Sequence, residues 1–376
     1  MQFDTFSSIN SIIERDRTDT PYKYSLLKSV IESCQEYPHY AKESGDRVSL
    51  PVGLCVVKWL LYYYPFFTPD KFIVMRRGEA NGKHQIAFRP EFEEVCRYYE
   101  EHGNISVFYD NITYGKVPEE IQETAVNLVS KIRFAIRDMP MRYLGYSQTG
   151  TEYSVFHLEE KPKPFSKKSP LSIQTIIEKS GTYSISKELY LVFRELGGFI
   201  IGSGCISDKW VSFLHNLNHT NGISDAEIRE RFAAEPVQER NTRNARELYL
   251  SLTKEKKCFC VWGNGNLTES TLVVDHLIPF AVWKSNDLWN LVPATQEENS
   301  KKSDKIPSIS RLERKKEAIF QCWDLLSAAY PHEFNRGLSV GLLGEEPKED
   351  WKEKAFERVC AISRYLIESR GYEEWK

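Results

Sequence analysis

The chain has 376 residues and a formal net charge of −3, with 41% hydrophobic and 27% charged residues. These values are ordinary for a soluble globular protein with two or three domains, and they exclude a globally basic nucleic-acid binder, so any such binding surface must be local. Most of the eight cysteines stand alone within apolar patterns. This favours reduced thiols in a cytosolic protein over a disulfide framework, and the first residues lack the pattern of a signal peptide.

The first hundred residues predict helices and one hairpin. Apolar residues at helical spacing predict a helix over 21–34 and a more buried one over 51–64. The second stretch is the nearest approach to a membrane span, but Lys58 interrupts it and Pro65 closes it, so we interpret it as a buried helix. Two short strands around a Gly/Asn turn are predicted for residues 71–90.

Further along the chain, helical patterns alternate with short irregular segments. The stretch "YSVFHLE" at 153–159 predicts a strand, and "KPKPFSKKSP" at 161–170 is typical of a linker. Ser224 and Glu227 form a capping box for a helix that runs to about residue 234. The other predicted helices cover 91–103, 118–138, 186–196, 206–218, 309–327 and 350–369.

Residues 272–304 combine polar residues with an apolar, turn-rich frame. "TLVVDH" predicts a short apolar strand that ends in Asp275 and His276. After an irregular loop, "NLVPAT" predicts a second strand that starts at Asn290. A polar helix containing Asn299 follows and stops before Pro307. The predicted order is strand, loop, strand, helix.

This order resembles the HNH nucleases with the ββα-metal fold, and it is closest to the branch that includes the HNH domain of RNA-guided CRISPR effector nucleases. The resemblance is carried by Asp275-His276, by the Ile-Pro that follows, by Asn290, and by "NSKKSDKIP" from Asn299. It covers only a short part of the chain. No guide-binding domain is apparent, so RNA guidance is not implied.

The resemblance implies a role for each of these residues. His276 is the expected general base, because an imidazole can take a proton from water near neutral pH. Asp275 and Asn299 are the expected oxygen ligands of Mg²⁺ or Mn²⁺. Asn290 is expected to support catalysis by a hydrogen bond across the loop that fixes His276. The expected contacts to DNA phosphates are Lys301, Lys302, Lys305, Arg243 and Arg246.

The Asp-His pair raises a geometric question. Neighbours on a regular strand point to opposite faces. Asp275 and His276 are therefore expected to share a site only if the strand ends between them and the backbone turns. The Leu-Ile-Pro sequence that follows favours such a turn.

Two neighbouring patterns leave alternatives open. Arginines at 229, 231, 240, 243 and 246 could form a DNA-backbone stripe, but interleaved glutamates fit a solvated, salt-bridged face equally well. Cys258 and Cys260 are separated by one residue and no second cysteine pair follows, so a structural zinc is not expected.

The sequence thus predicts an α+β protein with a mainly helical N-terminal region, a small ββα-metal HNH domain and a C-terminal helical segment. The expected function is metal-dependent cleavage of DNA by a cytosolic endonuclease with a prokaryotic defence or restriction role. No membrane association is expected, and a partner protein of a defence system is possible. The alternative is a nucleic-acid-binding or regulatory subunit of a defence complex, with a gated or inactive HNH fold. The predicted segments are 1–165, 170–244 (with DNA contacts), 245–310 (the nuclease) and 311–376.

Overall fold

The computed structural model describes residues 19–79, 84–144, 155–202, 205–234 and 240–376. The chain divides into two compact units, Met1–Val237 and Gln238–Lys376. The division into four segments made from the sequence is finer than this and stays a prediction.

The described part of the first unit consists mainly of helices around one small sheet. Helix α1 packs against α2 and α8. Gly197 of α8 allows the closest approach, because a Cβ there would lie 2.3 Å from the Ile31 side chain. The helices are α1 (Tyr22–Glu36), α2 (Val52–Tyr63), α3 (Arg89–Glu100), α4 (Asn104–Tyr114), α5 (Glu119–Asp138), α6 (Pro140–Tyr143), α7 (Ile173–Lys179), α8 (Lys187–Ile201), α9 (Ile206–Asn218) and α10 (Asp225–Ala233).

The sheet of this unit contains four described antiparallel strands. They are β1 (Lys42–Ser44), β2 (Arg47–Pro51), β3 (His157–Leu158) and β4 (Thr182–Ser186), in the spatial order β1-β2-β4-β3. Val48 faces Ile185 across the central pair, and both are fully buried. Of the strand predicted over 153–159, only residues 157–158 are confirmed, as β3, and residues 153–154 lie outside the described residues.

The predicted helices of this unit are confirmed, because each is locally amphipathic or capped. The Ser224 side chain accepts a hydrogen bond from the Glu227 amide and starts α10. The stretch interrupted by Lys58 is the buried helix α2. The confirmed helices are those predicted over 21–34, 51–64, 91–103, 118–138, 186–196 and 206–218.

The hairpin predicted for residues 71–90 is wrong, since the described residues on both sides of 80–83 form no strand. Two buried side chains take the place of a partner strand. The Glu79 carboxylate accepts hydrogen bonds from the amides of Met75 and Ile86 at 2.5 and 3.3 Å. The side-chain oxygen of Asn218 accepts a hydrogen bond from the Val74 N–H, and its side-chain NH2 group donates to the Val74 carbonyl. The backbone groups are satisfied without a sheet.

The segment at 161–170, predicted as a linker, is anchored within the first unit. Arg133 of α5 donates to the Lys163 carbonyl at 2.7 Å, and Gln122 donates to the Ser169 carbonyl at 2.8 Å. These hydrogen bonds hold the segment along α5.

In the part of the chain that the structure describes, no single helix is both long and apolar enough to cross a membrane. Helices α8 and α9 pass that test only as a pair, with a bend of 50° between them.

The second unit is built around one hydrophobic core that extends from Ala245 to Trp375. Trp323 donates to the Trp289 carbonyl at 2.8 Å and so joins the C-terminal helices to the predicted nuclease segment. The elements are α11 (Arg243–Lys254), β5 (Leu272–His276), α12 (Phe280–Trp283), β6 (Leu291–Thr295), α13 (Gln296–Lys302), β7 (Ile306–Pro307), α14 (Ile309–Ala329), α15 (Pro331–Leu338), α16 (Trp351–Glu368) and β8 (Glu374–Trp375).

The helices predicted over 309–327 and 350–369 are confirmed as α14 and α16, whereas α15 was not predicted. Strand β8, next to the C-terminus, pairs in parallel with β7. The HNH-like segment and the C-terminal segment therefore share a core in this unit.

Candidate active site

The hairpin of β5 and β6, followed by α13, forms the frame of the candidate site. Asp275 pairs with Val292 and His276 with Leu291, so β5 remains paired through both polar residues. The Thr295 side chain accepts a hydrogen bond from the Glu298 amide and starts α13 directly after β6. Helix α13 then packs against both strands. The predicted order of strand, loop, strand and helix is confirmed.

Asp275 is buried, and both of its carboxylate oxygens accept hydrogen bonds. The Trp262 indole donates to Oδ2 at 2.7 Å. The His276 amide and the Lys302 ammonium donate to Oδ1 at 2.7 and 3.1 Å. The carboxylate is thus compensated by a buried positive charge, and Oδ2 retains a free lone pair.

The turn expected between Asp275 and His276 does not occur there. The strand continues through His276, and the two side chains contact different neighbours. Asp275 contacts Trp262 and Lys302, whereas the His276 imidazole packs against Phe280 with ring centroids 5.4 Å apart. What joins the two residues is Lys302, whose ammonium also donates to the His276 carbonyl at 2.5 Å.

His276 is held as a neutral imidazole. Burial, together with the nearby charges of Arg240 and Lys302, lowers its pKa to about 3. The Asn286 side chain is hydrogen-bonded to the ring, whereas Nε2 is buried without a partner among the described residues. We infer that Nδ1 donates to Asn286, which leaves the lone pair on Nε2.

Asn290 fixes the loop that follows β5. Its side-chain oxygen accepts from the Ile278 amide at 2.8 Å, and its amide group donates to the carbonyls of Ile278 and Ser285 at 3.0 and 3.3 Å. Its own carbonyl accepts from the Leu277 amide at 2.7 Å. Asn290 is completely buried, and its side-chain hydrogen bonds go to the loop backbone and not to the His276 ring.

Helix α13 distributes its polar residues over two faces. Asn299 is partly exposed, and no hydrogen-bond partner of its side chain lies among the described residues. Lys301 is exposed and pairs with Glu297 and Glu298 at 2.7 and 2.9 Å. Beyond the helix, Lys305 pairs with Glu373 at 2.6 Å.

The prediction that Lys302 contacts DNA is wrong. Its side chain is completely buried and its ammonium is bonded to Asp275 and His276. Burial lowers the pKa of this ammonium, and the Asp275 carboxylate offsets part of that effect. A group committed in this way cannot meet a phosphate on the surface, so the structure places Lys302 behind the site.

The arginines before the motif do not behave as one group. Arg229 pairs with Asp208 and Asp225, and Arg231 is bonded to Asp70, which fits the salt-bridged alternative. In the second unit, Arg240 donates to the Val274 carbonyl at 2.7 Å.

Arg243 and Arg246 lie on the first two turns of α11 and are exposed. Neither makes an ion pair with any residue that the structure describes. These two guanidinium groups are therefore open to an anion.

The residues predicted to hold a divalent cation, Asp275 and Asn299, offer one carboxylate and one amide oxygen. A hard cation that keeps several waters needs no more protein ligands than these. In the described ranges, no three His, Cys, Asp or Glu side chains are grouped to hold a metal. Cys258 and Cys260 are both buried, and the expectation that they bind no zinc stays a prediction.

Sequence reasoning missed three contributors. Trp262 and Lys302 orient Asp275, and Asn286 orients His276. A signal existed for Lys302, because it follows Asn299 by three residues and so shares its helical face. Trp262 precedes the motif and Asn286 lies in its irregular loop, and their roles depend on how these segments fold.

Residues 263–308, which include the hairpin, the Asp-His pair and the following helix, match a family model described as HNH endonuclease. This match supports the HNH family, without distinguishing its CRISPR-effector branch. Residues 2–232 match a second model, described as a domain of unknown function (DUF8808). Because this second match covers more than half of the chain, the chain belongs to the DUF8808 family. The chain has no match among curated proteins or among solved structures.

Proposed function

We propose that the second unit is an HNH endonuclease domain that hydrolyses phosphodiester bonds in DNA with Mg²⁺ or Mn²⁺. The observation that carries the proposal is the buried His276, whose Nε2 has a lone pair and no partner among the described residues, beside a fixed carboxylate. The match to HNH endonucleases supports a nucleic-acid substrate.

In this proposal His276 accepts the proton of the attacking water at Nε2. A pKa of about 3 makes the imidazole a weak base. An anionic phosphodiester near Arg240 would offset the positive charges that lower this pKa and would thereby strengthen the base. Asn290 positions the His276 ring through the loop backbone, and Asn286 positions it through Nδ1.

Asp275 and Asn299 are the proposed ligands of the cation. When bound, a divalent cation supplies positive charge that stabilises the charge developing on the phosphodiester. Trp262 and Lys302 restrict the Asp275 carboxylate to one orientation, so its free lone pair is preorganised. HNH endonucleases generally depend on a divalent metal.

The proposed DNA contacts are Lys301, Lys305, Arg243 and Arg246. The two arginines are open to an anion, and the two lysines would exchange a carboxylate for a phosphate. We also propose a cytosolic location and a role in prokaryotic antiviral defence, with or without a protein partner. These two points rest on the resemblance alone.

A second candidate is a gated nuclease domain in a regulatory subunit. One observation favours it: the His276 side chain is only 2% exposed, so neither water nor DNA reaches Nε2 in this conformation. Activity would then require a movement of the α12 loop, driven by substrate or by a partner. Purified protein that cuts only when a partner is added would select this candidate.

The test is a cleavage titration over metal concentration for three variants. Loss of a general base typically lowers the rate about 10²–10⁴-fold, so His276→Ala should be slow at every Mg²⁺ concentration. Asn299→Ala should regain activity at high Mg²⁺, because only a neutral ligand is lost. Asp275→Ala should resemble it but be more severe.

The matched control is His157→Ala, which removes an exposed imidazole from the first unit. Rescue of the His276 variant by metal, without rescue of the Asn299 variant, would reverse the role assignment. Wild-type cleavage by all three variants would place the site elsewhere.

A further inference from the structure

We propose that the first unit carries a separate docking surface for the phosphodiester backbone of a nucleic acid. This surface, the basic face, is formed by the end of α5, by α6 and by the segment that follows β3. Its members are Arg133, Arg137, Arg142, Lys161, Lys163 and Lys168. The choice of a nucleic acid as ligand rests on the proposed nuclease function, whereas the surface itself stands on the contacts below.

The arginines and the lysine segment are held together by hydrogen bonds. Arg133 donates to the carbonyls of Lys163 and Lys179 at 2.7 and 2.9 Å. Arg137, one helical turn later, donates to the Ser180 carbonyl at 3.4 Å. Arg133 and Arg137 are four residues apart on α5 and so lie on the same side of the helix. Burial, followed by the charge of Arg137, lowers the pKa of Arg133. Positive charge is thus gathered on one side of α5.

Few carboxylates neutralise this surface. The segment that follows β3 begins with Glu159 and Glu160, and the Glu159 carboxylate accepts a hydrogen bond from Ser49. Residues 161–179 then contain five lysines and one glutamate. Lys167 pairs with Glu123, and Arg142 pairs with Asp138 at 3.2 Å. The remaining lysines of the basic face are exposed and make no ion pair with any described residue. Elsewhere in this unit, cations such as Arg229 and Arg231 are paired with carboxylates.

Exposed apolar side chains lie among these cations. Phe134, one turn before Arg137, is 63% exposed, and Tyr143, next to Arg142, is 44% exposed. Phe165 lies under the Arg133 guanidinium, 4.4 Å from its carbon. Basic groups interleaved with aromatic rings are how proteins follow a nucleic-acid strand, since the cations bind phosphates and the rings stack on bases.

An anionic membrane would also attract cations and exposed aromatic rings. A nucleic acid is favoured because the same chain carries the segment that matches HNH endonucleases. A nuclease domain gains from a second surface that holds its substrate, since two linked contacts raise the effective concentration of the site.

The test uses the full chain and measures DNA binding by fluorescence anisotropy in EDTA, over a series of salt concentrations. Duplex and single-stranded oligonucleotides of one length serve as probes. Lys161→Gln/Lys163→Gln/Lys168→Gln should weaken binding about tenfold or more near physiological salt. It should also reduce the magnitude of the slope of log affinity against log salt concentration by about 2 to 3. Each phosphate contact contributes ~0.9 to this slope on duplex DNA and ~0.7 on single strands.

The control is Lys42→Gln/Lys348→Gln/Lys354→Gln, which removes the same charge from other surfaces and should leave the slope unchanged. A second variant, Phe134→Ala/Arg142→Gln, tests the basic face without altering the lysine segment, and should weaken single-strand binding more than duplex binding. Full-chain protein that binds neither oligonucleotide, or binds only anionic vesicles, overturns the inference. So does a lysine variant with the affinity and slope of the wild type.

Failure of the proposed nuclease function would look different. In that case wild-type protein with Mg²⁺ would not cut DNA, while the lysine variant would still bind less tightly in EDTA. Metal-dependent cleavage together with an unchanged lysine variant would instead reject the basic face and leave the nuclease proposal standing.

Discussion

Replacing Lys302 by methionine tests the charge arrangement at the centre of the site. Methionine keeps an unbranched side chain, one atom shorter, and removes the ammonium. The change leaves the Asp275 carboxylate buried without its cation, although Trp262 and the His276 amide still donate to it. The His276 carbonyl also loses its donor.

The magnitude follows from these contacts. Removing one partner of a buried ion pair destabilises a protein by about 3–5 kcal/mol. Two hydrogen bonds to Asp275 remain, which places the expected loss near the lower end, at about 3 kcal/mol. The double variant Asp275→Asn/Lys302→Met removes both charges, so its cost should be smaller than the sum of the two single changes. Lys301→Met, on the exposed side of α13, should cost less than about 1 kcal/mol.

Urea unfolding followed by tryptophan fluorescence measures these differences. Six of the eight tryptophans lie in the second unit, so the signal reports mainly on this unit. If Lys302→Met is no less stable than Lys301→Met, or if the double variant is simply additive, the Asp275–Lys302 pair does not organise the site as described.

Three further outcomes are expected. The pKa of His276 is about 3 in the fold against 6.5 in the unfolded chain, so its contribution to stability is complete above pH 6.5 and is lost as the pH falls toward 3. Between pH 6.5 and pH 5 the wild type should lose about 2 kcal/mol more than His276→Gln in urea unfolding; equal pH dependence would contradict the burial argument. The Asn290→Asp variant cannot donate hydrogen bonds to Ile278 and Ser285, so its free energy of unfolding should be lower by about 1–3 kcal/mol in the same assay. A stability equal to wild type would contradict the role of Asn290 in the loop. A fragment of residues 238–310 should give the circular dichroism spectrum of an unfolded chain, whereas 238–376 should melt cooperatively, because the core includes α14 and α16. A folded short fragment would show that the C-terminal helices are dispensable.

The strand–strand–helix frame of the second unit was predictable because its signals are local. Short apolar runs, Pro279 and the Thr295 cap each act on neighbouring residues. The failed hairpin at 71–90 shows the opposite case. There the decisive partner Asn218 lies far along the chain, and nothing near Val74 in the sequence reveals that an amide will take the place of a strand.

The residues of the candidate site stay a prediction, and their arrangement was not predicted. The motif identified Asp275, His276, Asn290 and Asn299, whose proposed roles await experiment. Composition alone does not show that one lysine of the cluster turns inward; only the three-residue spacing from Asn299 to Lys302 indicates it. Lys302 and its neighbour Lys301 differ by about 100° around α13, and this rotation separates a buried ion pair from a surface one.

The central claim is tested most directly by cleavage of supercoiled plasmid with the purified full chain. The wild type should convert the plasmid to nicked or linear forms in Mg²⁺ and leave it intact in EDTA, and His276→Ala should leave it intact in both. Cleavage by His276→Ala at the wild-type rate, or wild-type cleavage that persists in EDTA, would contradict the assignment of a metal-dependent HNH nuclease to this site.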